Sequence, residues 1–222
     1  MISHLALIMD GNRRWAKSRG MFPWLGHRQG AKTVEIVIKY CIEQKISYVS
    51  LYTFSLENFK RSQEEISYLF ALIDEARSRI KEFVKEGVKI KFVGDRSVLP
   101  QETKNSCDEI ERATAECKNL QCNFLLSYGS QQEIIAAVQE LIRLQPEEVT
   151  IDLFKKHMWM GDIPDPELII RTGGVKRLSN FLLFQAAYSE IEFLDCLWPD
   201  LTKQLLHETI AKSVLAKKNF GK

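Results

Sequence analysis

Apolar residues recur along the chain in two alternating rhythms. Short apolar runs at 4–9, 48–54, 89–93, 121–126, 168–170 and 191–194 read as six strands. Between them, apolar positions three and four apart predict helices over 26–44, 67–85, 100–118, 131–143 and 201–218. Strands alternating with helices imply βαβ units. The expected fold class is therefore α/β, with residues 1–222 forming a single domain around a central, mainly parallel six-stranded sheet flanked by helices.

The helix expected at 67–85 carries Leu69, Phe70, Ile73, Ala76, Ile80 and Phe83 on a wide apolar face. Periodicity allows two readings: packing on the sheet, or one wall of an apolar tunnel. Ser62 and Glu65 at its start have the spacing of a capping box.

Composition narrows the class without deciding the function. Apolar residues are 45% and charged residues 27%, and Lys+Arg 31 against Asp+Glu 29 leaves a net charge of +2. So small a net charge argues against nucleic acid as a partner. No apolar stretch is long enough to span a bilayer, and the first residues do not read as a signal peptide. The five cysteines form no C-x-x-C and read as reduced thiols of a cytoplasmic protein.

Local charge is more informative. The first strand ends in Met9-Asp10-Gly11-Asn12-Arg13-Arg14-Trp15, where ligands of open α/β sheets bind. Asn12 is placed to cap the next helix. No acidic residue lies between Asp10 and Glu35, whereas Arg13, Arg14, Lys17, Arg19, His27, Arg28 and Lys32 do. A lone carboxylate beside such a cluster suits Mg²⁺ shared with substrate phosphates. A second polar cluster, residues 53–61, follows the second strand. A third, residues 171–180, combines Arg171 and Arg177 with a glycine pair. No P-loop, dinucleotide fingerprint or nucleophile elbow is present, and the four histidines lack metal-ligand spacing. The residues alone indicate an α/β protein that binds phosphate or diphosphate with Mg²⁺.

Five ordered motifs extend this reading: H-x-A-x-I-M-D-G-N-x-R-W-A at 4–16, G-H at 26–27, Y-x-F-S-x-E-N at 52–58, R-T-G-G-x-x-R-x-S-N-F-L-L at 171–183, and Tyr188-Ser189-Glu190 with Leu197-Trp198-Pro199-Asp200. Together they resemble the cis-prenyltransferases, nearest the bacterial undecaprenyl diphosphate synthase branch, over almost the whole chain. The resemblance implies repeated condensation of isopentenyl diphosphate with an allylic diphosphate, starting from farnesyl diphosphate. The product would be a cis-polyprenyl diphosphate, precursor of the glycan carrier lipid of cell-wall synthesis. It further implies a Mg²⁺-dependent homodimer in the cytoplasm, with transient peripheral contact at the inner membrane face where product is delivered.

The resemblance also assigns roles. Asp10 would hold Mg²⁺ and assist diphosphate loss, and Glu190 would be a second metal ligand. Gly11, Asn12, Arg13, Arg14, Trp15 and His27 would surround the allylic diphosphate. Ser55, Leu56, Glu57, Phe59 and Arg61 would line the substrate site, with Asn58 as proton acceptor and residues 60–65 as a lid. Arg171, Arg177, Leu178 and Ser179 would bind isopentenyl diphosphate. Ala31, Val34 and Ile38 would face Leu69, Leu72, Ile73 and Ala76 across a prenyl tunnel, with Leu120 as its floor.

The chain departs from the family pattern at several positions. Arg13 replaces a common Gly, Pro23 a basic residue, Phe59 a Trp, Ser127 an Asn and Val175 a Glu. Asn219-Phe220-Gly221 stands where an R-x-G pattern is usual, with Lys217 and Lys218 as alternative charges. A non-catalytic partner subunit of the same fold is the principal alternative. Retention of Asp10, Arg14, Asn58, Arg171, Arg177 and Glu190 argues against it.

Overall fold

The computed structural model describes residues 2–215. Asn219-Phe220-Gly221, Lys217 and Lys218 lie outside the described residues. All six expected strands form: β1 His4–Ile8, β2 Tyr48–Ser55, β3 Val88–Val93, β4 Leu120–Tyr128, β5 Leu168–Arg171 and β6 Glu190–Phe193. They make one sheet in the order β3-β4-β2-β1-β5-β6, and every pairing is parallel.

A parallel sheet covered on both faces needs continuously apolar central strands. In β1, Leu5 and Leu7 point into one apolar cluster, and Ala6 and Ile8 into the other. The larger cluster packs beneath α2 Pro23–Glu43, α3 Gln63–Glu75, α5 Gln101–Thr114 and α8 Lys203–Leu215. The remaining helices are α1 Asn12–Lys17, α4 Ile80–Glu86, α6 Ser130–Leu144 and α7 Ile151–His157.

The helix expected over 67–85 is broken. It starts earlier, at Gln63, and leaves α-geometry at Ala76–Arg79, a 3₁₀ turn, before α4 resumes. Ser78 Oγ donates to the Glu75 carbonyl at 2.7 Å, competing locally with the helical ladder. The capping box is half formed: Ser62 Oγ accepts from the Glu65 N–H at 3.4 Å, while the Glu65 carboxylate is engaged elsewhere. Helix α7, held at its start by Thr150, was not anticipated from the sequence.

Candidate active site

The functional clusters meet beyond the carboxyl ends of β1, β2 and β5, the usual ligand position in such sheets. The Asp10 carbonyl accepts from Thr172 Oγ1 at 2.7 Å and from the Trp198 N–H at 3.0 Å. These bonds fix the end of β1. Gly11, with φ of 119°, is the N-cap of α1, so Asn12 is the first helical residue rather than the expected cap. Helix geometry returns Arg14 over Asp10, four residues earlier, with Nη2 3.2 Å from Oδ1. The other carboxylate oxygen receives Arg171 Nη2 at 2.9 Å.

Arg171 is almost buried, and its Nη1 donates to Ser179 Oγ at 2.7 Å and to the Arg177 carbonyl. Arg177 thus contributes backbone to the cluster while its side chain stays exposed. Gly173, with φ of 90°, lies so close to Arg14 that a Cβ there would fall 2.4 Å from the guanidinium. This close approach explains one glycine of the pair.

Glu65 organises the opposite wall. Its side chain is only 4% exposed and is met by His27 Nε2 at 3.1 Å, Arg61 Nη1 at 2.8 Å and Arg13 Nε at 3.6 Å. Burial pushes its carboxyl upward, but the His27 hydrogen bond and the charges of Arg61 and Arg13 prevail and hold it below the usual carboxylate value. Burial lowers the Arg61 guanidinium in turn, opposed by Glu65. The sequence places Glu65 in a capping box and at the end of the expected lid, not as the centre of an ion-pair cluster. Its spacing of four from Arg61 was the available signal.

Met9, Asp10, Gly11, Asn12, Arg13, Arg14, Lys17, Pro23, His27 and Arg61 surround a cationic cavity of about 450 Å³. Met9, Asn12 and His27 also line a second cavity, of about 370 Å³, that runs beneath α2 and α3. All seven expected tunnel residues, Ala31, Val34, Ile38, Leu69, Leu72, Ile73 and Ala76, line this second space. Its deep end is formed by Ile90, Phe92, Ile110 and Phe124.

Several expected placements need correction. Leu120 is buried but does not line the tunnel. It pairs with Val88, two residues before Ile90 along β3, and so lies about 7 Å beyond the deepest sheet residue that lines the cavity. Trp15 turns away from the cleft, one helical step around from Arg14. Its Nε1 donates to Asp200 Oδ1 at 2.7 Å, and Arg19 lies 4.2 Å over its ring. Phe59 packs edge-on to Phe54 at 4.9 Å and near Phe70 at 6.3 Å, so it anchors its segment to the core. The expected lid 60–65 takes in the last residue of a 3₁₀ turn, Leu56–Lys60, then Arg61 and Ser62, and the first residues of α3.

That turn is closed by reciprocal Ser55–Asn58 capping, in which Asn58 Oδ1 accepts from the Ser55 N–H at 3.2 Å. Glu57 accepts from Asn180 at 3.1 Å, tying the turn to the loop after β5, and Leu178 of that loop packs on the smaller apolar cluster. Glu190 is at the wrong end of the sheet to share a metal with Asp10 in one chain. It pairs with Leu168, whereas Asp10 lies beyond Ile8, the partner of Arg171.

The donor set fits one kind of metal binding. Among the described residues no three His, Cys, Asp or Glu side chains gather to form a cage. Asp10 is a single, partly exposed carboxylate at the mouth of a cationic cavity. This suits Mg²⁺, which takes one or two carboxylates and completes its shell with phosphates and water.

The family model described as putative undecaprenyl diphosphate synthase matches residues 8–221. The chain belongs to the cis-prenyltransferase family. It is 38% identical to the tritrans,polycis-undecaprenyl-diphosphate synthase (geranylgeranyl-diphosphate specific) of Pyrococcus abyssi, covering 99% of this chain and 86% of the relative. Identity to the isoprenyl transferase of Aquifex aeolicus is 38%, with coverage of 99% and 95%. Among solved structures, a lavandulyl diphosphate synthase from Lavandula x intermedia in complex with dimethylallyl diphosphate superposes with a TM-score of 0.95 at 28% identity, covering 100% and 98% of the two chains. A probable undecaprenyl diphosphate synthase from Campylobacter jejuni gives 0.85 at 35% identity, covering 100% and 99%. This cis-prenyltransferase therefore resembles prenyl diphosphate synthases in sequence over nearly its whole length and in architecture, and it is itself a prenyltransferase.

Proposed function

We propose that the protein condenses isopentenyl diphosphate repeatedly onto farnesyl diphosphate to make a long-chain cis-polyprenyl diphosphate, precursor of the carrier lipid for cell-wall glycans. One observation carries the reading: a cationic cavity and an apolar one lie side by side, sharing Met9, Asn12 and His27 as lining. A prenyl diphosphate has that same polarity. A cavity of about 150 Å³ holds one benzene, so the 370 Å³ here accommodates on the order of fifteen carbons, the size of a farnesyl chain.

In this reading Arg13, Arg14, Lys17 and Arg61 bind the allylic diphosphate, and Arg171, Arg177 and Ser179 bind isopentenyl diphosphate. The guanidinium groups stabilise charge that grows on the leaving diphosphate as its C–O bond breaks. Mg²⁺ held by Asp10 and the substrate phosphates would neutralise part of the same charge. The apolar walls keep water from the allylic cation. Asn58, with its oxygen already bonded to Ser55, acts as a positioning residue, and the proton lost on condensation passes to released diphosphate.

The reading extends to one catalytic domain acting as a homodimer. Exposed Leu183 and Ile191 near the β6 edge of the sheet support an interface there. No helix among the described residues is long and apolar enough to cross a membrane, and delivery of a hydrophobic product motivates peripheral contact at the inner face from the cytoplasm.

A second reading, one short condensation, is favoured by the tunnel volume and by the likeness to the lavandulyl enzyme. Purified protein incubated with farnesyl and isopentenyl diphosphates and Mg²⁺ separates the two. Products extended by many units support the first reading, and products extended once support the second.

A further inference from the structure

In the proposed function the loop after β5 presents Arg177 and Ser179 to isopentenyl diphosphate. The backbone of this loop is under constraint. Ser179, Asn180 and Leu182 take positive φ values of 51°, 63° and 46°. Asparagine tolerates this left-handed conformation better than serine or leucine does. Such a cluster persists only where its surroundings over-determine it. Asn180 supplies much of that restraint.

The Asn180 carbonyl accepts from the Ser130 N–H at 2.8 Å, and Asn180 Oδ1 accepts from the Gln131 N–H at 2.8 Å. These donors open α6, whose N-cap, Gly129, has no side chain to satisfy them. A Cβ on Gly129 would fall 2.7 Å from Asn180 Nδ2, so the loop occupies the place of a capping side chain. Asn180 Nδ2 donates to Gln132 Oε1 at 3.0 Å and to Glu57 Oε1 at 3.1 Å. Burial pushes the Glu57 carboxyl upward, but bonds from its own backbone, Asn180 and Ser55 hold it below the usual carboxylate value, so it meets Asn180 as an anion. Neighbouring bonds complete the clamp. The Tyr52 hydroxyl reaches the Ser179 carbonyl at 3.3 Å, and the Leu183 N–H donates to Ser130 Oγ at 2.9 Å. Ser179 Oγ is thereby delivered to Arg171 Nη1 at 2.7 Å. One side-chain amide joins the β5 loop, the start of α6 and the Leu56–Lys60 turn beyond β2.

We propose that Asn180 is a positioning residue for isopentenyl diphosphate: by bridging the start of α6 to Glu57 it sets the β5 loop in the one arrangement that aims Ser179 and Arg177 at the diphosphate. Asn180 acts through the loop and not on the reacting atoms. The allylic wall is held separately, by Glu65 with Arg61, His27 and Arg13. The proposal rests on the reading of this loop as the isopentenyl diphosphate site, and Arg177→Ala tests that reading by itself.

Asn180→Asp isolates the bond to Glu57. The new carboxylate still accepts from the Gln131 N–H, where negative charge suits a helix N-terminus, and the Gln132 amide can turn its donor towards it. Only Glu57 is left facing a like charge. Initial rates of the first condensation, with each substrate varied in turn, are measured for wild type, Asn180→Asp, Glu57→Gln, the double variant and Arg177→Ala, together with melting temperatures. Asn180→Asp should raise KM for isopentenyl diphosphate about tenfold, as expected when a hydrogen bond to a charged group is lost. Its KM for farnesyl diphosphate should stay within about twofold of wild type, because the two walls share no partner. Its melting temperature should stay within about 3 °C. Adding Glu57→Gln to Asn180→Asp restores the donor–acceptor pair with reversed polarity, and should bring the isopentenyl KM to within about threefold of Glu57→Gln alone. An unmoved isopentenyl KM in Asn180→Asp, with a raised one in Arg177→Ala, would overturn the proposal and leave the site reading intact. No rise in either variant would overturn both. A lowered melting temperature, equal losses for the two substrates, or a loss that Glu57→Gln does not relieve would make Asn180 a support of the fold alone, and would likewise overturn the proposal.

Discussion

Arg171 Nη2 lies 2.9 Å from Asp10 Oδ2, joining the ends of β5 and β1 across 161 residues of sequence. The two clusters that bear these residues looked separate in the sequence. In the fold they share one carboxylate, which also holds Arg14 on its other oxygen. A change at Asp10 or Arg171 therefore reaches both proposed substrate sites, whereas a change at exposed Arg177 reaches one.

Asp10→Asn should keep the hydrogen-bond acceptor and lose the charge. Turnover should fall on the order of 10²–10³-fold, the usual cost of removing one preorganised electrostatic group. The melting temperature should stay close to wild type. Asp10→Ala should lower turnover equally and also lower the melting temperature, because it leaves the nearly buried Arg171 cation without its partner. Steady-state kinetics and calorimetry on the pair check this. Near-normal turnover of folded Asp10→Asn would contradict the role given to the charge.

Glu65 tests positioning. It touches three residues of the diphosphate wall and lies behind them. Glu65→Gln retains its size but loses the charge that gathers Arg61, His27 and Arg13. The value of kcat/KM for the allylic substrate should fall about tenfold or more, mainly through KM, as expected for weakened hydrogen bonds to charged groups. Initial rates with each substrate varied in turn would show it. An equal loss for isopentenyl diphosphate would mean that Glu65 supports the whole mouth instead of one wall.

Leu120 and Phe124 separate core from tunnel. Leu120→Ala should cost about 2–5 kcal/mol of stability and leave the product distribution alone, because Leu120 packs below the cavity. Phe124→Ala removes part of the deep end and should lengthen products. Chromatography of the products from both variants decides. A shift with Leu120→Ala alone would restore Leu120 as the floor.

The contrast shows what the sequence could carry. Strands buried on both faces announce themselves as apolar runs, so all six were legible, as were the seven tunnel positions repeating at helical spacing. The break at Ala76–Arg79 was hidden because no Gly or Pro marks it. It accompanies a Ser78 side-chain bond that only coordinates reveal. Trp15 adjoins Arg14 in its motif, yet one residue of helix turns a side chain by about 100°. Leu120 was misplaced in depth, since the cavity ends where Ile90 and Phe92 of the neighbouring strand fill it. The sites legible from motifs were those whose backbone lies at strand ends. Those decided by azimuth or depth required the fold.

His4 supplies a pH test away from the active site. It is fully buried, with Nε2 2.8 Å from Ser50 Oγ and Nδ1 2.5 Å from the Pro164 carbonyl. The carbonyl can only accept, so Nδ1 carries the proton and the Ser50 hydroxyl donates to Nε2. Ser50 Oγ in turn accepts from Asn123 Nδ2 at 3.1 Å. Burial lowers the imidazole pKa to about 4 from 6.5, against upward pulls from Pro164, Glu167 and Asp165. The folded state therefore resists a proton that the unfolded chain accepts. This group's contribution is complete above pH 6.5 and is lost as pH falls towards 4, amounting to about 3 kcal/mol at the limit. Glu65, lowered, adds acid sensitivity only beneath the ordinary carboxylate value, while Glu133, raised by burial, acts in the opposite sense. Comparing wild type with His4→Gln cancels both. Denaturant midpoints at about pH 7.5, 5.5 and 4.5 should show the variant less stable at neutral pH but with a smaller loss on acidification. Parallel stability profiles would show that the buried imidazole is not the group responsible.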